Sequence, residues 1–154
     1  MTTRALILRY ADYKERSRIL TVLTEHGEKL TVSAHGSKAY AEPYVCAELT
    51  LRSSKGRHYV SEGRTIAEFR GLRSDLGKFA LAAYIAKITE LLSDSDVPQP
   101  DLFRLCARAF HTLAKPETTA IAEFKAAFES RAATLAGFQS FDDIRELLTA
   151  RELQ

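Results

Sequence analysis

The hydrophobic period of the sequence changes at residues 71–74, from the period of β-strands to that of α-helices. Before this point, apolar and polar residues alternate in short runs, as at Leu30, Val32 and Ala34. After it, apolar residues recur every three or four positions over helix-length stretches. A chain that separates its strands from its helices in this way is predicted to belong to the α+β class. We therefore expect a strand unit at residues 1–72 and a helical unit at residues 73–154.

The strand unit is organised around the segment 12–39, which is predicted to contain two strands joined by a tight turn. Gly27 supplies the positive φ angle that such a turn needs. The predicted strands are residues 3–10, 18–24, 29–35, 44–52 and 57–61, with extended structure resuming at 64–69 after Glu62 and Gly63. Five short strands with intervening turns suit a small closed barrel.

Two polar segments of the barrel carry cations. Lys14, Arg16 and Arg18 alternate and would share one face if this segment were extended. Residues 35–38, His-Gly-Ser-Lys, place a glycine, where a ligand can approach the backbone, beside two basic side chains. Taken alone, residues 35–38 fit a plain turn with a solvated lysine better than an anion site.

The helical unit is predicted to contain three helices, at residues 75–92, 101–114 and 119–136, and a short fourth helix after Ser140. Ser74 is the expected N-cap of the first helix, and Gly137 is the expected C′ residue of the third. The predicted buried positions of the first helix are Leu76, Phe79, Ala80, Ala83, Tyr84, Ile88 and Leu91. The expected buried side of the second helix is Leu102, Cys106, Ala109, Phe110 and Leu113, and that of the third is Ile121, Phe124, Phe128, Ala132 and Leu135.

The composition is that of a globular protein without membrane-spanning segments. The 154 residues are 45% hydrophobic and 27% charged, as in a globular domain, and no apolar run approaches the roughly 20 residues of a membrane span. The first residues lack the apolar core of a signal peptide, which favours a cytoplasmic protein. Cys46 and Cys106 are single and lie in apolar surroundings, so we expect buried free thiols rather than a zinc site.

Charge is unevenly distributed along the chain. The first 70 residues contain 12 Lys and Arg against 8 Asp and Glu, although the formal net charge of the whole chain is only +2. This basic balance points weakly to a polyanionic partner for the first unit. The four histidines do not have the spacing of metal ligands, and no catalytic motif is present. We predict that the protein is not an enzyme and uses no cofactor or metal.

A small basic barrel that also bears tyrosines has the ingredients of a nucleic-acid groove. Cations neutralise phosphates, and aromatic rings give stacking surfaces for bases of any sequence. Tyr13 and Tyr40 lie in polar loops, where a ring has less structural reason to be. Tyr10, Tyr44 and Tyr59 are as well explained by strand packing.

Several spaced segments resemble one known family, the bacterial recombination mediator and DNA repair protein RecO. They are Tyr13-Lys-Glu15 with residues 18–24 and Gly27, Val32-Ser-Ala-His-Gly-Ser-Lys-Ala39, Phe69-Arg-Gly-Leu-Arg-Ser-Asp-Leu76, and Phe128-Glu-Ser-Arg131 with Leu135-Ala-Gly-Phe138. Their order and spacing carry the resemblance, which runs from Arg4 to Phe138.

The resemblance implies a five-stranded OB-fold barrel followed by a helical domain. It also implies a non-catalytic activity: binding single- and double-stranded DNA, annealing complementary strands and helping to load recombinase. The implied partners are the mediator RecR and the acidic, phenylalanine-ended tail of single-strand-binding protein, with no membrane partner. The implied location is the bacterial cytoplasm, in association with the nucleoid.

The expected DNA-binding residues are the barrel positions that match the family's motifs, together with basic and aromatic residues of the loops. They are Lys14, Arg16, Arg18, Lys29, His35, Gly36, Lys38, Tyr40, Lys55 and Arg57. Phe128 and Arg131 match the late-helix pattern, and for both we expect a core or helix-capping role rather than a partner contact.

The C-terminus departs from the family pattern. Many members continue into a cysteine-bearing, sometimes zinc-binding module, whereas this sequence stops at Gln154 without such cysteines. The chain is thus either a short member or a truncated one, and partner contacts made by that module are in doubt. One alternative function is an adaptor whose helices bind a partner while the barrel is scaffold. An RNA-binding barrel is another.

Overall fold

The computed structural model describes residues 1–36, 38–94 and 96–152. Ser37, part of the turn motif singled out above, lies outside the described residues. The strands are β1 (Thr2–Asp12), β2 (Ser17–Thr24), β3 (Lys29–His35), β4 (Cys46–Ser54) and β5 (Arg57–Ala67). Short 3₁₀ turns lie at Ala39–Ala41 and Arg70–Leu72.

The five strands form a closed barrel in the order β1-β2-β3-β5-β4, with β4 pairing back onto β1. All neighbours are antiparallel except β3 and β5, which run parallel. This order and the helices that follow confirm the predicted OB-fold barrel with a helical C-terminal part. The interior is filled by inward-facing apolar residues such as Leu20, Val22, Val32 and Leu49, all fully buried.

Two strand predictions need correction. β5 is one continuous strand rather than two pieces, because its irregularity is absorbed by a register shift: Thr50 pairs with Glu62 and Leu51 with Val60. Ser61 is left over between these pairs, which is the pattern of a β-bulge. The segment 13–16 is a tight loop rather than an extended one, with Lys14 and Arg16 both at positive φ. The three cations therefore do not share one strand face.

The helices are α1 (Leu76–Leu92), α2 (Pro100–Leu113), α3 (Ile121–Leu135) and α4 (Phe141–Glu152). The five residues expected on the buried side of α2 are the five that are buried. In α3, Phe128 and Ala132 are buried as expected, whereas Leu135 is 37% exposed. Gly137 has φ +80° directly after α3, which confirms its predicted C′ role.

The predictions for α1 were wrong in two respects. Its N-cap is Asp75, whose carboxylate accepts a hydrogen bond from the Lys78 backbone N–H, rather than Ser74. Its buried face is also partly rotated from the predicted one: Leu76 is 87% exposed, whereas Ile88 is buried as predicted and Phe79, Tyr84 and Leu91 are partly buried against the core. The buried apolar residues of α1 are Leu81, Ala82, Ile85, Ala86 and Ile88. The helix is apolar on nearly every side, so periodicity does not select one face.

The barrel and the helices share a second apolar cluster, in which Leu6, Leu23 and Tyr44 of the barrel pack with Ile85 and Phe110 of the helices. The Tyr44 ring lies 5.6 Å from the Phe110 ring, centroid to centroid. Backbone contact reinforces this packing, because the Gln99 N–H at the start of α2 donates to the Gly27 carbonyl over 3.1 Å. The barrel therefore sits directly on the helices.

Cys46 and Cys106 are buried free thiols, as predicted. Within the described residues, no group of three or more His, Cys, Asp or Glu side chains is placed to hold a metal ion. In that same part of the chain, every helix is too short or too polar to cross a membrane.

Candidate nucleic-acid interface

One groove on the barrel brings together the loop between β1 and β2, the outward faces of β2 and β3, and the turn between β4 and β5. Its volume is about 440 Å³. We call it the barrel groove. Its lining residues are Tyr13, Lys14, Ser17, Ile19, Thr31, Val32, Ser33, His35, Gly56, Arg57 and His58. In OB-folds, the β2–β3 face and these two loops are the elements that bind oligonucleotides.

The loop at residues 13–16 is fixed by backbone hydrogen bonds at both ends. The Tyr13 N–H donates to the Ser17 carbonyl over 2.9 Å, and the Gly36 N–H donates to the Arg16 carbonyl over 2.5 Å. Gly36 has φ +82°, so glycine allows the chain leaving β3 to reach this loop. These bonds place exposed Lys14 and Arg16 beside the end of β3.

The floor of the barrel groove follows from strand alternation. Ile19 pairs with Ser33, and Ser17 pairs with His35, so these four side chains point outward together. Ser17 Oγ lies 2.8 Å from His35 Nδ1, which fixes the imidazole against the floor. At the opposite wall, Ser53 Oγ lies 3.2 Å from His58 Nδ1. The groove thus combines an apolar floor with hydroxyls and ring nitrogens.

Tyr13 and Lys14 form one rim of the barrel groove. Tyr13 is 48% exposed, and the Lys14 ammonium lies 5.3 Å from the centre of its ring. A half-exposed ring beside a cation is suited to stack on a base while the cation meets a phosphate. Arg57 lines the other rim, and Lys55 lies at the adjoining turn with φ +53°.

Arg18 lies away from the barrel groove. Its register places it on the inward side of β2, beside Ala34 and two residues before buried Leu20. The guanidinium therefore emerges at the end of the barrel, where it binds the Ala41 carbonyl at 3.0 Å and the Glu42 carboxylate at 3.1 Å. It also bonds Asp12 and stacks over the Tyr10 ring at 4.0 Å. These contacts tie the turn before β4 to β1 and β2.

Lys29 lies at the far end of β3, where it forms an ion pair with Asp94 after α1. The same carboxylate pairs with Arg151 of α4. Lys29 is therefore engaged at the junction between barrel and helices, on the same outward face as Thr31 but beyond the groove. An ammonium already paired with a carboxylate has less to gain from a phosphate.

Lys38 and Tyr40 line a second, polar cleft of about 560 Å³ together with His35. Two acids, Glu48 and Glu62, also line it, so its field is mixed. Tyr40 is only 6% exposed, and burial raises the pKa of its phenol. Its ring packs on Gly63, where a Cβ atom would lie 2.7 Å from the ring. This loop tyrosine has a structural role that sequence alone did not reveal.

Sequence reasoning also missed an apolar groove between α2 and α3, of about 240 Å³. We call it the helical groove. Leu105, Phe124 and Phe128 form its walls, and Arg108 and Arg131 stand exposed on its rim. The expected core role is confirmed for Phe128, which is 4% exposed, whereas Arg131 lies on the groove. The two arginines are distant in sequence, so only the packing of α2 on α3 brings them together.

Comparisons with known proteins agree with this architecture. The family profile described as "Recombination protein O N terminal" matches residues 1–69, and "Recombination protein O C terminal" matches residues 73–140. A DNA repair protein RecO from Bacillus subtilis is 30% identical over 115 residues, which are 70% of this chain and 45% of that protein. One from Desulforudis audaxviator is 27% identical over 143 residues, 88% of this chain and 56% of that protein. The chain spans about half the length of these curated relatives.

Proposed function

The chain belongs to the RecO family of DNA repair proteins, and we propose that it binds DNA in the barrel groove without catalysing a reaction. The observation that carries the proposal is the composition of the groove. Lys14, Arg57, His35 and His58 surround it, and no acidic side chain is among its described lining residues. Such a surface attracts a polyanion.

The rims and the floor of the barrel groove would contact different parts of the DNA. Lys14 and Arg57 neutralise backbone phosphates on the two rims, while Ser33 offers a hydroxyl donor along the floor. The exposed Tyr13 ring stacks on an unpaired base. Since none of these contacts reads a base edge, binding tolerates any sequence. Arg16, Gly36 and Lys55 extend the surface at its edges, whereas Arg18, Lys29 and Tyr40 serve mainly to hold the barrel together.

Annealing follows from the same electrostatics. Two complementary strands whose phosphates are partly neutralised repel each other less and pair more readily. As a member of a DNA repair family, the protein is proposed to act in the bacterial cytoplasm at the nucleoid. There it would work with RecR to load recombinase on DNA coated by single-strand-binding protein.

The site assignment is tested with the double variant Lys14→Gln/Arg57→Gln. Each phosphate contact contributes about 0.7 to the slope of log affinity against log salt for single strands, so the slope should fall by about 1.4. The measurement is fluorescence anisotropy of a labelled oligonucleotide across a salt series. Lys115→Gln, which removes one positive charge from an exposed side chain after α2, should leave the slope unchanged. Equal slopes for the double variant and the wild type would remove the barrel groove from the proposal.

A second function, as a protein-interaction adaptor, is favoured by the helical groove. Its apolar walls suit an aromatic side chain, and Arg108 and Arg131 suit a carboxylate. We propose that it accepts the acidic, phenylalanine-ended tail of single-strand-binding protein. A labelled peptide with that ending should bind the wild type and lose affinity in Arg108→Ala and Arg131→Ala variants. Unchanged peptide affinity in both variants would exclude this groove.

A further inference from the structure

Two of the four histidines of the chain line the barrel groove. His35 ends β3 and His58 lies near the start of β5, and His58 pairs with Val32, three residues before His35. The other two histidines lie elsewhere, since His26 is exposed in the turn between β2 and β3 and His111 is exposed on α2. The pairing of β3 with β5 therefore brings two imidazoles to one surface.

Each of these imidazoles is held by a serine hydroxyl. Ser17 Oγ lies 2.8 Å from His35 Nδ1, and Ser53 Oγ lies 3.2 Å from His58 Nδ1. Among the described residues, no carboxylate bonds either ring. A hydroxyl can donate to a ring nitrogen or accept from it, so the same contact suits the neutral and the charged ring. In the charged ring the serine oxygen accepts from Nδ1–H, and Nε2–H is left to donate to an anion.

The charged and titratable groups around the two imidazoles are mostly basic. Those that line the barrel groove with them are Tyr13, Lys14 and Arg57. His35 also lines the polar cleft, where the other such groups are Lys38, Tyr40, Glu48, Glu62 and Arg64. The adjoining loop and hairpin add Glu15, Arg16, Arg52, Lys55 and Tyr59. A bound phosphate would thus supply the negative charge that the described lining of the barrel groove lacks.

We propose that His35 and His58 make the barrel groove a proton-linked site, whose affinity for single-stranded DNA rises as the two imidazoles become charged. The inference rests on the proposed DNA-binding function and concerns the regulation of the same site. Histidine changes its charge between about pH 8 and pH 5, whereas lysine and arginine keep theirs. An anion beside an imidazole favours the charged form, so DNA binding takes up protons and, by reciprocity, acid strengthens DNA binding.

The size of the effect follows from the number of added contacts. One phosphate contact contributes about 0.7 to the salt slope for single strands, which is about fivefold in affinity at about 0.1 M salt. Two charged imidazoles should therefore raise the slope by up to about 1.4 and the affinity by up to about 25-fold between about pH 8 and pH 5.5. Carboxyl groups ordinarily titrate below this range. The hydrogen bond from Arg64 lowers the pKa of Glu48 further.

The test compares the full wild-type chain with the double variant His35→Asn/His58→Asn. Asparagine keeps a polar atom near the position of Nδ1 for the serine hydroxyl but does not titrate. Fluorescence anisotropy with a labelled oligothymidylate, whose own charge is constant over this range, gives the affinity and the salt slope at both pH values. The ratio of the two affinities should fall from up to about 25-fold in the wild type to less than about twofold in the double variant. Each single variant should remove about 0.7 of the slope difference.

The matched control is His26→Asn/His111→Asn, which removes the two exposed histidines outside the barrel groove and should keep the wild-type ratio. Thermal unfolding at both pH values checks that each variant keeps its fold. A wild type that binds equally well at both pH values would overturn the inference while leaving the proposed function in place. A groove variant that keeps the ratio, or a control that loses it, would assign the dependence to other groups and overturn the inference as well. A wild type that binds DNA at neither pH would overturn both.

Discussion

At the level of single residues, substitution of Tyr13 separates the contribution of base stacking to DNA affinity from the contribution of charge. Its ring is about half exposed on the rim of the barrel groove, and the phenol is not needed to fill the core. We predict that Tyr13→Ala weakens single-strand binding by about 1–3 kcal/mol, the usual loss for one base–ring stack. The salt slope should stay the same, because no cation is removed. Anisotropy titrations at several salt concentrations measure both quantities, and a slope that falls with the affinity would mean that Tyr13 acts only by positioning Lys14.

Cys106 gives the fold a predicted sensitivity to alkaline pH. Burial raises the pKa of its thiol to about 12, against an ordinary value of 9.0, with a smaller opposing effect from the Thr89 hydroxyl. Between these values the unfolded chain releases a proton that the folded chain keeps. The neutral thiol therefore supports the fold fully below pH 9, and this support is lost as pH rises toward 12. Urea unfolding across this range should show a shallower decline of stability for Cys106→Ala than for wild type; parallel declines would contradict the account.

At the scale of elements, the β2–β3 turn lies directly against the start of α2, where the Gln99 N–H donates to the Gly27 carbonyl. A Cβ atom at Gly27 would lie 2.0 Å from the Gln99 carbonyl carbon, and Gly27 has φ +83°. Gly137 has a similar φ, +80°, but lies in open space. We predict that Gly27→Ala costs about 1–3 kcal/mol more than Gly137→Ala, because both strain a left-handed backbone but only the first overpacks. Denaturant unfolding measures the difference, and equal costs would show that the turn moves freely away from α2.

The buried faces and the register of the helices and strands differed in how well they could be predicted from the sequence, and the reasons are physical. α2 has polar residues on one side only, so periodicity alone identified its buried face. α1 is apolar nearly all round, and its buried face was settled by packing against the barrel and α2. The strands were found because alternation marks a half-buried sheet, whereas the bulge in β5 depends on register with β4. The burial of a residue within its own helix or strand was thus easier to predict than the residue that it pairs or packs with on a neighbouring element.

The candidate site was less predictable than the fold. Loop cations such as Lys14 and Arg57 were recognised from composition, and the barrel groove brings them together. Sequence did not reveal that Arg18 stacks on Tyr10 and bonds Glu42, because those contacts join residues 8 and 24 positions apart. Ile19, Ser33 and His58 were also missed, although outward alternation on β2 and β3 marks the first two. The basic charge of the sequence indicates the class of ligand. Only the fold shows which basic side chains are available to bind it and which ones are engaged in structural contacts.

At the scale of the whole molecule, the shared apolar cluster makes barrel and helices interdependent. Leu6 and Leu23 are fully buried in the same cluster as Ile85 and Phe110. We predict one cooperative unfolding transition rather than two. Far-UV circular dichroism at helical wavelengths follows the helices, and tyrosine absorbance follows mainly the barrel, which holds five of the six tyrosines. The two denaturation curves should coincide; separate midpoints would show that the units fold independently.

Whether DNA lies in the barrel groove can be tested by mapping backbone amide shifts of the ¹⁵N-labelled chain during titration with a single-stranded oligonucleotide. A chain of 17.2 kDa is well suited to this measurement. We predict the largest shifts at Lys14, Ile19 and Ser33 and around Arg57, with small shifts along α2 and α3. Shifts confined to the helical groove near Arg108 and Arg131, or no shifts at low salt, would contradict this prediction.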